Sequence, residues 1–357
     1  MSVVPSSLAP PPLADRAAAV MPAPDRPLRQ ALRACPLGLG AAALAGLYDA
    51  VDEATAAATL QAAWDAGLRC IDTAPFYGYT RSEHRVGAFL AGRPRDGLVL
   101  STKVGRLLRP DASVQPGSDG WADPLPFRPV FDYSYDGVMR SFEDSLARLG
   151  GARIDLLLVH DIGRATHGQQ HGRHWRALTQ GRGFRALESL RDQGAVQAIG
   201  LGVNEWEVAW DALSAAPIDC VLLAGRYTLL EQGALGFMDR CVADGVDVLI
   251  GGPFNSGLLA GQARYDYGAV PAAVRERAEA LAAVCAEFEV PLPAAALQFP
   301  LAHPAVANVL SGMRSPDQVR RNVDWMRQPI PGALWHALRD RGLIHAGVPL
   351  PDEPGAG

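Results

Sequence analysis

One repeated alternation limits what this chain can fold into. Eight short apolar runs of strand character are separated by longer segments of helical period. The runs are Pro36 to Gly40, Arg69 to Thr73, Leu98 to Lys103, Ile154 to His160, Val196 to Val203, Cys220 to Ala224, Val246 to Gly251 and Ala307 to Gly312. Helices are predicted over Glu53 to Ala66, Ser82 to Leu90, Tyr135 to Leu149, Phe184 to Gln193, Glu231 to Ala243 and Ala272 to Phe288. Several end at a glycine suited to a left-handed cap: Gly67, Gly150, Gly194 and Gly245. Parallel neighbours need long right-handed crossovers. Eight strands, each followed by a helix and spaced about 39 residues apart, therefore predict an α/β fold, the closed (β/α)8 TIM barrel.

At 357 residues the chain suits one such barrel, and no linker or composition shift divides it after Pro36. Residues 1–30 carry Pro5, Pro10, Pro11, Pro12, Pro22, Pro24 and Pro27 and no basic-then-apolar leader, which predicts a disordered Pro/Ala-rich tail rather than a signal peptide. The barrel is expected over 31–345 and a C-terminal tail over 346–357. A net charge of −5 without clustered Lys and Arg argues against nucleic acid or an anionic membrane surface as partner. The run Val290 to Met313, uncharged apart from His303, is broken by four prolines and cannot span a bilayer. Cys35, Cys70, Cys220, Cys241 and Cys285 form no CxxC pair and read as reduced thiols of a cytoplasmic protein.

Two connections are too long for simple turns: Val104 to Asp132 after the third strand and Asp161 to Arg182 after the fourth. In a barrel both leave the C-terminal rim, where loops build sites, so both are expected to act as lids. The first carries Trp121, Phe127 and Phe131; the second carries His167, His171, His174 and Trp175. Gly168, Gly172 and two glutamines argue against a stable helix in the second, and hence against a zinc site on its histidines.

Three consecutive strands end in ionisable groups that an apolar strand does not need: Asp72, Lys103 and His160. Tyr77 follows in the turn after Asp72 and shares that rim. Singly, each has an ordinary explanation as a cap, a solvated strand end, a packed imidazole or a loop aromatic. Together they form a proton-transfer device in which an adjacent ammonium brings the tyrosine nearer working pH.

The stretch AAWDAGLRCIDTAPFYGYTRSEHRVGAFL and the run IDLLLVHD resemble signature segments of the aldo-keto reductases, and the resemblance extends from about Pro36 to Trp325. STKVGRLLRP, FDYSYDGVMRSFEDSLARLG, AIGLGVNEWE and LLAGRYTLLEQ resemble the branch that contains D-threo-aldose 1-dehydrogenase, L-fucose dehydrogenase and pyridoxal 4-dehydrogenase. The resemblance implies that Asp72, Tyr77, Lys103 and His160 are the catalytic tetrad, with Tyr77 as general acid/base and no metal. It implies a nicotinamide dinucleotide, NAD or NADP, at the C-terminal rim. Asn204 would hold the carboxamide; Asn255, Gly257 and Leu258 would pass the pyrophosphate; Ser311, Gly312, Arg314, Gln318 and Asn322 would grip the adenosine end. A helix starting near Pro316 would offer its amides to phosphate. The implied reaction oxidises the anomeric carbon of an aldose or similar cyclic hemiacetal, of L-fucose, D-arabinose or pyridoxal type, to a lactone.

Three positions depart from the family's pattern: Gly251 where many members stack an aromatic ring on the nicotinamide, Ala224 where many have Gln, and Val203 where many have Ser. Gly312 and Gln318 stand where bases often grip a 2′-phosphate, leaving Arg314 as the one evident substitute, which favours NAD slightly. The segment GLGAAA fits G-x-G-x-x-A but lacks an acidic residue at Rossmann spacing. No GxSxG elbow points to a hydrolase. NADPH-dependent reduction of aldehydes or ketones, or a non-catalytic cofactor-sensing subunit, are the alternatives that the same residues leave open.

Overall fold

The computed structural model describes residues 27–351. Eight parallel strands close into a barrel: β1 (Leu37–Gly40), β2 (Cys70–Asp72), β3 (Val99–Val104), β6 (Leu156–His160), β7 (Ala198–Val203), β8 (Cys220–Ala224), β9 (Asp247–Gly251) and β10 (Val306–Gly312). Around the wall the order is β1-β10-β9-β8-β7-β6-β3-β2, with every neighbour pair parallel. All eight predicted runs become barrel strands, because each is apolar enough to be buried on both faces.

The strands alternate with helices that form the outer layer: α2 (Glu53–Asp65), α3 (Arg81–Leu90), α4 (Tyr135–Arg148), α7 (Gly183–Asp192), α8 (Trp206–Ala215), α9 (Leu235–Asp244), α10 (Ala272–Glu287), α11 (Leu292–Gln298), α12 (Pro316–Arg327) and α13 (Gly332–Asp340). Caps fix several starts: Asp52 accepts from Thr55 N at α2, and Ser134 from Gly137 N at α4. The helix predicted from Glu231 begins at Leu235 instead, since the Glu231 carboxylate is committed to Tyr265, Arg226 and Asn255. Among the described residues no single helix is long and apolar enough to cross a membrane.

The termini of the predicted domain need correction. Residues 1–26 and 352–357 lie outside the described residues, but 27–30 belong to a helix, α1 (Pro27–Ala34). Its Leu32 is buried against Cys70, Val99, Leu156 and other barrel-interior side chains and plugs the N-terminal mouth. Arg29 reaches Asp247 at 3.1 Å and the Pro304 carbonyl at 3.0 Å. Past residue 345, Val348 and Leu350 are fully buried, so the packed body runs beyond the predicted tail boundary.

Both long connections are structured. The first forms an antiparallel hairpin, β4 (Arg106–Pro110) with β5 (Phe127–Phe131). The second, predicted to lack a stable helix, contains α5 (Arg164–His167) and α6 (His171–Thr179). Tertiary contacts override the weak propensity there: Leu178 is buried, His171 Nδ1 lies 3.0 Å from the Ile162 carbonyl, and the His167 and His174 rings lie 4.2 Å apart. Burial pushes His167 down to about 4, so the two rings pack as neutral imidazoles. Among the described residues no group of three or more His, Cys, Asp or Glu side chains is placed to hold a metal.

Candidate active site

The site follows from strand alternation. Ser101 and Lys103 lie two apart on β3 and share its inward face, and both meet Asp72 at the end of β2. Ser101 Oγ donates to Asp72 Oδ1 at 2.8 Å, and Lys103 Nζ to Asp72 Oδ2 at 2.7 Å. Lys103 Nζ also donates to the Thr73 carbonyl and to the Tyr77 hydroxyl, each at 3.0 Å. Thr102, between them, points outward to Glu83 at 2.6 Å. The corridor for the lysine stem exists because β7 carries glycine at 202: a Cβ there would lie 2.9 Å from Lys103 Cε. His160, ending β6, sets its ring 5.8 Å from Tyr77 at 87°, and the lid residue Trp121 lies 5.8 Å from Tyr77 on another side.

Electrostatics set the protonation states. Burial alone would lower the Lys103 ammonium, but Asp72 and Tyr77 reverse that and hold it above its ordinary value. For Tyr77 burial comes first and raises the phenol; Lys103 draws it down, Asp72 pushes it up, and the balance stays above the ordinary value. Chemical type alone predicts that the ammonium prevails; burial outweighs it. Burial, reinforced by Arg106 and Lys103, holds His160 well below its usual range, so the imidazole is neutral.

Sequence reasoning missed two charged neighbours. Arg106, at the root of the hairpin lid, places Nη2 2.5 Å from Asp161 Oδ2 and its guanidinium 4.2 Å over the Phe76 ring. Asp161 lies 3.4 Å from His160 Nε2 and accepts from Asn204 Nδ2 at 3.3 Å. Both stood inside the resembling motifs, and the signal was a charge next to a strand end.

A groove of about 410 Å³ runs from Asp72 and Tyr77 past Gly251 and Gly257 to Gly312, Arg314, Gln318 and Asn322 on the β10–α12 side. Of the predicted cofactor residues, Gly257, Gly312, Arg314, Gln318 and Asn322 line it; Asn204, Asn255, Leu258 and Ser311 do not. Asn255 is buried and fully employed as a brace, bonded to Thr228, Gly225 and Glu231. Ser311 bonds Asn322 at 3.1 Å. Arg314 is ion-paired with Asp49, while Arg264 and Arg321 also line the groove, so Arg314 is not the sole cation there. Tyr267 overhangs the groove, its hydroxyl 3.4 Å from Asn204 Oδ1.

These residues fit an extended dinucleotide. A Cβ added at Gly312 would touch Ala43 alone, at 3.6 Å, and so would project into open groove. Three guanidinium groups and the N-terminus of α12, opened by Pro316, suit a pyrophosphate.

The aldo/keto reductase family model matches residues 36–339. The chain belongs to the aldo/keto reductase family. It is 51% identical over 330 residues to pyridoxal 4-dehydrogenase of Microbacterium luteolum, covering 88% of this chain and 96% of that one. It is 41% identical over 318 residues to D-threo-aldose 1-dehydrogenase of a Pseudomonas species, covering 86% and 94%. An aldo-keto reductase of Bacillus halodurans in its holo form superposes with a TM-score of 0.66 at 25% identity, covering 88% and 93%. The protein is thus an oxidoreductase, and its membership implies use of a nicotinamide dinucleotide.

Proposed function

We propose that this aldo/keto reductase oxidises a cyclic hemiacetal, of pyridoxal or aldose type, to the lactone with NAD. The observation that carries the reading is Lys103 Nζ bridging Asp72 at 2.7 Å and the Tyr77 hydroxyl at 3.0 Å. Tyr77 takes the hydroxyl proton of the hemiacetal, and Lys103, held charged by Asp72, stabilises the phenolate form that accepts it. Neutral His160 orients the substrate oxygen. The nicotinamide, when bound, supplies the hydride acceptor. Phe76, Tyr77, Trp121 and the rim residue Phe131 offer ring faces suited to a pyridine ring or to the C–H face of a sugar. The 51% identity to a pyridoxal 4-dehydrogenase supports the flat heteroaromatic hemiacetal as first substrate to test.

Asn204 is proposed to hold the carboxamide, with Gly257, Gly312, Arg314, Gln318 and Asn322 along the dinucleotide. The Arg314–Asp49 ion pair supports NAD over NADP, since Asp49 occupies one of the groove's three guanidinium groups and adds a repelling charge. Five cysteines that form no disulfide, four of them buried, support a reducing cytoplasmic setting.

The test is Tyr77→Phe, which removes one oxygen. Dinucleotide affinity by fluorescence titration should stay within about twofold, while turnover of pyridoxal or L-fucose falls on the order of 10²–10⁴-fold. Near wild-type turnover removes Tyr77 from the mechanism. If both hemiacetals are inert in the wild type while simple aldehydes are reduced with NADPH, the reductase reading replaces this one; tight binding with no turnover on either panel supports a sensor.

A further inference from the structure

Asp161 is a strained residue: it follows His160 directly with φ 42, in the left-handed region that favours glycine. Its backbone is held in place by Asp161 N donating to the Gly202 carbonyl at 3.0 Å and by the Tyr133 hydroxyl donating to the His160 carbonyl at 2.8 Å. The strain turns the carboxylate back toward the site. There one oxygen meets both Arg106 Nη2, at 2.5 Å, and His160 Nε2, at 3.4 Å, while the other accepts from Asn204 Nδ2 at 3.3 Å. His160 Nδ1 is buried with no hydrogen-bond partner among the described residues. A proton on Nδ1 would be an orphaned buried donor, whereas a proton on Nε2 faces a carboxylate. The arrangement therefore selects the Nε2–H tautomer.

We propose that Asp161 is a positioning residue that couples the two halves of the site, fixing the His160 tautomer that orients substrate and holding the Asn204 amide for the nicotinamide carboxamide, with Arg106 as its counter-ion. This rests on the roles proposed above for His160 and Asn204. Its charge also bears on Tyr77. The charged and titratable groups around that phenol are Asp72 from β2, Lys103 from β3, Arg106 from β4, and His160 and Asp161 from the end of β6, with Tyr267 overhanging. Asp161 raises the phenol, so removing its charge lowers it.

Three variants separate charge, acceptor and structure. Asp161→Asn keeps an acceptor for Asn204 but loses the charge, and Asp161→Ala loses both. In pyridoxal or L-fucose oxidation with NAD, the acid limb of the pH profile should move down, by up to about one pH unit, in both variants. NADH affinity, read by fluorescence titration without turnover, should stay within about twofold in Asp161→Asn and weaken about fivefold in Asp161→Ala, the worth of one hydrogen bond. Combined with Arg106→Met, so that no cation is stranded, the Asn and Ala forms should still differ about fivefold in NADH affinity. An unmoved limb in the single variants, or equal NADH affinity for the Asn and Ala forms, overturns the proposal. If neither hemiacetal is oxidised by the wild type while NADH binds, the hydride-transfer reading fails separately, and the affinity comparison still decides whether Asp161 holds Asn204.

Discussion

Replacing Lys103 with Met removes a buried ammonium and little volume, and two losses follow from the geometry. The first is stability. Asp72 is 4% exposed, and without Lys103 its remaining side-chain donor among the described residues is Ser101. Breaking a buried pair from one side costs about 3–5 kcal/mol, or a melting temperature lower by on the order of 10 °C.

The second loss is catalytic. At an effective dielectric near 20, a unit charge 3.0 Å from the phenolate oxygen is worth about 5 kcal/mol. Relaxation of the surrounding dipoles and water entry recover part of this, leaving the phenol to rise by about 1–3 pH units in the variant. Each pH unit withholds tenfold of the base form, so turnover near pH 8 should fall about 10–1000-fold, with the acid limb displaced to alkaline pH. The assay is kcat against pH for hemiacetal oxidation, beside thermal unfolding and NADH titration on the same samples. A profile that superimposes on wild type, with turnover within about fivefold, would refute the coupling of Lys103 to Tyr77.

Gly202→Ala should lower turnover at least tenfold or so while sparing NADH affinity, because the new methyl displaces the Lys103 stem it would meet at 2.9 Å; full activity in the folded variant would show that the stem can yield. Leu32→Ala opens the plugged mouth and should destabilise by about 2–5 kcal/mol with kcat unchanged at low temperature, as chemical denaturation will show. Asp49→Ala frees Arg314 and should raise kcat/KM for NADP relative to NAD on the order of tenfold. A wild type that already prefers NADP strongly contradicts the reading of that ion pair.

The barrel was legible because all eight strands are apolar runs bounded by turns, and the meeting of Asp72, Tyr77, Lys103 and His160 because charges at the ends of β2, β3 and β6 have no packing reason to be there. What escaped reading depends on partners distant in the chain. Helix α1 begins in a proline-rich stretch whose local signals oppose order; it is placed by Leu32 in the barrel mouth and by Arg29 at Asp247 and Pro304. The histidine-bearing lid turns helical against the same local glycine signals. Arg264 and Arg321 become groove residues only when the segment after β9 and helix α12 meet across the rim. The upward balance at Tyr77 is a matter of burial, which chemical type alone does not reveal.

Backbone conformation marks the site in a way no motif does. Tyr48, Asp161, Asn255, Ser256, Asp266 and Tyr267 all take positive φ without being glycine, and each lies on or beside the groove or the tetrad. Such conformations cost roughly 1 kcal/mol or more apiece and persist where surrounding contacts over-determine them. Those contacts are present: Arg226 grips the Asp266 carboxylate at 3.0 and 2.8 Å, Tyr267 N donates to Ser256 Oγ at 3.0 Å, and Asn255 is braced by Thr228 at 2.8 Å. At four helix C-termini glycine takes the positive φ, at Gly67, Gly150, Gly194 and Gly245. At the rim the chain departs from that pattern, because a glycine there would relax the backbone and give up the carboxylate at 161 or the phenol at 267. Tyr48 and Tyr267 are the two that no turn favours, and both side chains line the groove.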